Sequence, residues 1–319
     1  MYFIITVDTE GDNLWKIKKC SSGIANITNK NGEYIERFQL LCEKYNLIPT
    51  YFVNHEMTQS KAFVELGKVA VNTKKCEIGM HMHAWNSPPI SKLPDTRGSK
   101  YGKPYAGEYE KTILYSKMEY LHKELEEVFC TSITSHRGGR WYFDENILDF
   151  LKTNKYLADA TVTPGISWKK MYGNQISGCN YKKVKMRAYE LDSNNILKEG
   201  KSGIVEVPPT ITMLPLHRAM DTKIAIHERF TKSYWLRPDG NNLKEMLWVM
   251  DSAYRAKKEY MEFMIHSSEL MQGGSPTFKT QKSIENLYYD MEIVFATAAK
   301  YCRGVGISEY AKKKLKQWQ

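Results

Sequence analysis

The stretch Tyr2-Phe3-Ile4-Ile5-Thr6-Val7-Asp8-Thr9-Glu10 decides the fold class. Residues 2–7 are almost continuously apolar or β-branched, the pattern of a strand buried on both faces, as in parallel sheets. Two carboxylates, Asp8 and Glu10, follow at once, where such a strand would surface. Outward from this stretch, residues 33–46 place Ile35, Phe38, Leu41, Cys42 and Tyr45 at helical spacing. Strands are expected at 48–53, 76–80, 131–135, 156–162 and 260–265, with helices at 61–72, 108–129, 144–154, 241–257 and 280–301. Residues 84–107 read as a loop. The stretch 165–235 reads as irregular, with strands at 184–190 and 203–207. Strand–helix–strand alternation implies an α/β protein with parallel strands joined by right-handed crossovers. A doubly wound sheet and a TIM-like barrel both satisfy this pattern. One domain is expected over 1–305. Residues 306–319, with Lys312, Lys313, Lys314 and Lys316, are expected to be a solvated basic tail.

Composition narrows the function. The chain has 319 residues, 26% charged and 42% hydrophobic, which excludes a disordered or fibrous protein. Its formal net charge of +10 allows an anionic partner. No nucleic-acid motif accompanies that charge, so nucleic acid is not an expected partner. The basic run Lys182-Lys183-Val184-Lys185-Met186-Arg187 could face a glycan phosphate or a nucleotide-sugar diphosphate, though such runs are more often solvated edges. Cysteines 20, 42, 76, 130, 179 and 302 form no C-x-x-C motif and no disulfide framework, which points to a reducing compartment. No signal peptide or transmembrane run is evident, so a cytoplasmic location is expected. No glycine-rich phosphate or dinucleotide motif follows a strand.

The polar residues able to do chemistry collect at expected strand ends: Asp8, Glu10 and Asp12; Asn54 and His55; His81 and His83; His136, Arg137 and Arg140; Asp159; and His266. In α/β barrels those ends form the active-site face. In extended chain, residues i and i+2 point to one side. His81 and His83 can therefore share a metal ion, and Asp8-Thr9-Glu10 offers two carboxylates at the same spacing. Two imidazoles and a carboxylate leave positions open for water and substrate. His266 at the end of an apolar strand suits a general acid. Arg137 could hold an aspartate ionised. Trp85, Trp141, Tyr142 and Trp168 fall in expected mouth loops and could stack on sugar rings.

Six segments carry a resemblance: Thr6-Val-Asp-Thr-Glu-Gly-Asp12, Pro49-Thr-Tyr-Phe-Val53, Glu77-Ile-Gly-Met-His-Met-His-Ala-Trp85, His136-Arg-Gly-Gly-Arg-Trp141, Asp159-Ala-Thr-Val-Thr-Pro-Gly165 and Ile265-His-Ser-Ser-Glu-Leu270. In this order the chain resembles the polysaccharide deacetylases that share the NodB homology domain (carbohydrate esterase family 4). The nearest likeness is to the WalW/WbmS-like branch associated with lipopolysaccharide biosynthesis. The resemblance implies a distorted (β/α) barrel, TIM-like, and a hydrolase removing an N-acetyl group from an amino sugar or polysaccharide with one divalent metal ion, typically Zn2+. Alternatives are cleavage of a small or cyclic amide on the same barrel, or glycan binding without catalysis.

Carried over by motif, Asp8 is the base, His266 the general acid and Arg137 the support of the base. His81 and His83 would bind metal with Glu10 or Asp12. Asp159 lies near the place of the acid that tunes His266, and Trp85, Arg140, Trp141 and Asp159 are expected at the substrate. Three departures stand out. Thr9 separates the two acids of the first motif. The second histidine falls at His83, whereas the usual spacing would put it at Trp85. Gly139 stands where the family has proline.

Overall fold

A computed structural model describes residues 1–14, 27–90, 103–215 and 231–318. The buried run at the N-terminus forms β1 (Tyr2–Thr9), and its side chains are buried from Phe3 onward. The chain then alternates: α1 (Ile35–Lys44), β2 (Pro49–Val53), α2 (His55–Thr58), α3 (Lys61–Asn72), β3 (Glu77–Met82), α4 (Lys111–Phe129), β4 (Ser135–Gly138), α5 (Glu145–Thr153) and β5 (Ala158–Asp159). After these come β6 (Tyr189–Asp192), β7 (Asn195–Glu199), β8 (Val205–Glu206), β9 (Ile211–Pro215) and β10 (Thr231–Trp235). The chain ends with α6 (Leu243–Arg255), β11 (Tyr260–His266), α7 (Gln281–Ala299), β12 (Arg303–Gly304) and α8 (Ile307–Trp318).

The main sheet has the order β11-β1-β2-β3-β4-β5-β8-β6-β7, and β12 lies beside the start of β1. From β11 to β8 every pairing is parallel, whereas β6 runs antiparallel to both neighbours. The edges meet without a regular strand. Thr210 N donates to Glu262 O, the Tyr260 hydroxyl to Pro208 O, and Met264 N to Leu236 O. The result is a distorted (β/α) barrel of the NodB type rather than a doubly wound sheet. The irregular closure explains why 165–235 showed so little periodicity: its strands are short, and β9 and β10 form a separate hairpin.

Helix faces follow the expected spacing. Ile35, Phe38 and Cys42 of α1 are buried, as are Leu114, Leu121 and Leu125 of α4. The Asp144 carboxylate accepts from Ile147 N and starts α5. Cys130 ends α4 in the left-handed region at φ 51°.

Two expectations need correction. The fourth strand is Ser135–Gly138, not 131–135, so His136 and Arg137 lie within it and point to opposite faces. The C-terminal segment is not a solvated tail. Residues 307–318 form α8, whose Ile307, Tyr310 and Ala311 bury with Ile4, Phe52, Ala158 and Val205 and plug the N-terminal end of the barrel. The half-buried Glu77 carboxylate accepts from Ser308 N at 3.0 Å and Ser308 Oγ at 2.7 Å, where the helix N-terminal dipole favours an anion. The lysines disguised this apolar face: most lie on the other side, and Lys314 is paired with Glu259. Among the described residues, no helix is long and apolar enough to cross a membrane.

Candidate active site

Sheet register assembles the site. Asp8 and His266 are partners across β1 and β11, and His81 and Arg137 are partners across β3 and β4. Alternation turns Thr6 and Asp8 of β1 and Glu262 and His266 of β11 to one side, where Thr6, Asp8 and Glu262 meet Arg137 and His266 faces Asp8.

Glu10, His81 and His83 come together at the mouth, all buried. His83 Nε2 is 3.1 Å from His81 Nε2, and Glu10 Oε2 lies 3.2 Å from His83 Nε2 and 3.5 Å from His81 Nε2. Ligands about 2.1 Å from a tetrahedral centre stand about 3.4 Å apart, so this triangle has the size that a divalent cation requires. The donor chemistry also fits. His81 Nδ1 donates to Arg137 O at 2.8 Å, which turns the ring so that Nε2 faces the triangle. Burial pushes the Glu10 carboxyl up, but hydrogen bonds from His81 and His83 hold it well below the usual carboxylate range. Burial lowers His83 despite its Glu10 contact, favouring the neutral imidazole that a metal binds.

Glu10 is thus the carboxylate at both imidazoles. Asp12, the alternative, accepts from Thr28 Oγ1 at 2.5 Å across a local bridge. His55 lies elsewhere, 2.9 Å from Glu124.

Gly139 accounts for the unusual place of the second histidine. A Cβ there would lie 2.4 Å from His83 Cδ2 and 2.6 Å from Met82 O. The His83 ring fills the space that a side chain at position 139 would occupy.

Asp8 is held on one side and open on the other. Arg137 Nη1 donates to Asp8 Oδ1 at 2.8 Å, while Asp8 Oδ2 lies 3.7 Å from His266 Nε2. Burial raises the Asp8 carboxyl, but the Arg137 guanidinium, helped by His81 and His266, holds it below the ordinary range. Arg137 is fully buried and also donates to Thr6 Oγ1, Ala160 O and Glu262. Glu262 is pushed up to about 7 by burial, against the pull of Arg137.

His266 Nε2 also lies 3.8 Å from Glu10 Oε1. On its other side, Nδ1 is 3.3 Å from Glu269 Oε2 and 3.1 Å from Arg237 Nη2. Arg237 reaches both Glu269 oxygens at 3.1 and 3.2 Å. Burial opposes ionisation of Glu269, but Arg237 and His266 bring it down to about 2. Glu269 therefore stands beside His266, where Asp159 was expected. Asp159 itself is fully buried and accepts from His136 Nδ1 at 2.6 Å, Thr161 N and Thr161 Oγ1.

The aromatic expectations fare unevenly. Trp141 and Trp168 stack at 6.3 Å with an interplanar angle of 8°, and Trp235 joins Trp141 at 5.9 Å. Trp85 packs against His83 at 5.6 Å. The Tyr142 hydroxyl is committed to Asp144. Arg140 is half-buried in left-handed backbone, and its positive field disfavours a proton on His83.

Sequence reasoning assigned no role to Glu269, Glu262, Arg237 or Trp235. Glu262 had a signal, a lone charge four residues before His266 on an apolar strand. Glu269 had one too, at i+3 from His266. Arg237 and Trp235 had none, because they arrive by the irregular closure.

No family model and no curated protein matches this sequence. Solved structures do match in fold. A protein of Mycobacterium smegmatis assigned as a polysaccharide deacetylase superposes with a TM-score of 0.59 at 13% identity, covering 99% of this chain and 91% of that one. A Pseudomonas aeruginosa protein with the same assignment gives 0.53 at 10% identity, covering 98% and 89%. The allantoinase Puue gives 0.53 at 12% identity, covering 98% and 88%. The chain has the polysaccharide deacetylase fold.

Proposed function

We propose that this protein is a metal-dependent hydrolase that removes an N-acetyl group from an amino sugar or its polymer. The observation carrying this reading is the meeting, at one barrel mouth, of the Glu10–His81–His83 triangle with Asp8 and His266. Zinc is the ion we assign, from two imidazoles and one carboxylate at tetrahedral spacing. Once bound by those three residues, it would polarise an amide carbonyl and lower the pKa of a water.

The chain's own groups supply the proton transfers. Asp8, kept ionised by Arg137, accepts the proton of the attacking water through Oδ2. His266 Nε2 faces the same space and gives a proton to the departing amine. Glu269 orients the His266 ring, and Arg237 keeps Glu269 ionised. The acetyl C–N bond breaks as the C–O bond forms, giving acetate and the free amine. The Trp141–Trp168–Trp235 wall suits a pyranose face. A role in lipopolysaccharide or other surface-glycan synthesis rests on the sequence resemblance, while a cytoplasmic site of action rests on the cysteine pattern.

Elemental analysis of protein purified without added metal, paired with a substrate panel, tests this reading. One divalent ion per chain and acetate release from N-acetyl sugars is the expected result. Metal with turnover only of small cyclic amides would move the chain to the alternative hydrolase. Absence of stoichiometric metal at saturating Zn2+ would overturn both. Asp8→Asn should keep metal and lose turnover. His266→Ala should keep metal and fall by roughly 10²–10⁴ on an N-acetyl amide, and far less on an activated acetyl ester.

A further inference from the structure

A second concave site lies away from the mouth. It is a cleft of about 650 Å³ bounded by residues 186–188, 210–213, the end of α6, the start of β11 and the end of α8. Tyr260 lines it, and His266 is six residues further along β11, about 20 Å away at strand rise. No residue of the catalytic cluster contributes to it.

Its floor is apolar: Met186, Ile211, Met213, Ala253, Ala256 and Trp318. Its charges are one-sided. Arg187, Lys257, Lys258 and Lys314 line it against a single lining acid, Glu259, and Arg187 is paired with Glu199 beside the cleft. Glu259 is already neutralised by Lys314 at 2.8 Å. Among the described residues, Lys258 Nζ donates to one partner, the carbonyl Met186 O, at 3.2 Å. Lys257 has no ion-pair partner among the described residues. These cations come from three segments far apart in sequence: the 182–187 run, the 257–258 pair and the C-terminal lysines. The lysine pair also answers the C-terminal dipole of α6, while Arg187, on another segment, is held by Glu199.

We infer that this cleft binds a single-chain anionic amphiphile, its acyl chain along Met186, Met213 and Ala253 and its head group at Lys257 and Lys258. The volume falls within the range of small-ligand sites, and an apolar lining with a few charged groups at one rim is their usual composition. Flexible methionines adapt to a chain without fixed shape. A concave, half-enclosed cleft takes one inserted chain, which a flat basic face would not.

Calorimetric titration with alkyl phosphates below their micelle concentration tests this on the full chain. Dodecyl phosphate should bind, and octyl phosphate should bind about 10²-fold more weakly, because each buried methylene is worth about fourfold. Inorganic phosphate should not bind measurably, and uncharged dodecanol should bind at least tenfold more weakly than dodecyl phosphate. K257E/K258E should weaken dodecyl phosphate at least tenfold, and Ala256→Trp, at an exposed position of the lining, should do so by filling the cleft. His81→Ala should leave binding unchanged, which separates this site from the mouth. No binding by dodecyl phosphate would overturn the inference. So would equal binding of inorganic phosphate, an absent chain-length dependence, or affinity untouched by both cleft variants.

Discussion

Replacing Gly139 by alanine tests the geometry of the candidate metal site through a residue that would not itself touch the metal. The added Cβ would sit 2.4 Å from His83 Cδ2, whereas carbon atoms pack at about 3.5–4.0 Å. The imidazole must therefore retreat by at least about 1 Å. A ligand bond of about 2.1 Å does not survive that displacement, so the site falls from three protein ligands to two. Residues that only position ligands typically cost 10–100-fold in metal affinity when changed, and a ligand lost outright belongs at or above the top of that range. We expect Gly139→Ala to weaken Zn2+ about 10²-fold in competition with a chelator, close to the effect of His83→Ala. Because both act on one bond, the double variant should be no worse than His83→Ala alone. The same Cβ also approaches Met82 O at 2.6 Å, so the thermal midpoint of the metal-free protein must accompany the titration. Wild-type affinity in Gly139→Ala would refute the packing argument. So would losses that multiply in the double variant, since the two positions would then act independently.

Three further outcomes follow from the buried charges and the C-terminal helix. Arg137→Ala leaves Asp8 and Glu262 buried without their cation and should cost about 3–5 kcal/mol in urea unfolding; a loss below 1 kcal/mol would contradict the pairing. Glu269 titrates near 4.3 when unfolded and at about 2 when folded, so its contribution is full above the unfolded value and lost as pH falls toward 2. The stability gap between wild type and Glu269→Gln should therefore shrink between pH 5 and pH 2 by up to about 3 kcal/mol, and a gap constant across that window would argue against an ionised Glu269. Truncation after residue 305 uncovers the apolar barrel floor under Ile307 and Tyr310, each worth about 1.5–3 kcal/mol of burial, and should lower the thermal midpoint sharply; an unchanged midpoint would mean that α8 does not seal the barrel.

The sequence by itself determined the alternating α/β order and the chemistry at strand ends. Burial writes itself into periodicity, and residues two apart on a strand share a face, which is why Asp8, Glu10, His81 and His83 could be singled out as a set. Periodicity alone left a barrel and an open sheet both possible; the motif resemblance pointed to the barrel that the tertiary structure forms. That choice lies in the contacts of 208–210 and Leu236 with β11, which have no period to read. The structure also placed Glu10, rather than Asp12, at both imidazoles, because the local bridge to Thr28 engages Asp12. It brought Glu269 and Arg237 to His266, and turned Asp159 toward His136. It converted a lysine-rich tail into the helix that closes the barrel, because a few buried side chains outweigh charges that can remain solvated on the opposite face. The pairing of Gly139 with His83 belongs to the same class: 56 residues separate them, and only the β3–β4 register puts a missing side chain against an imidazole.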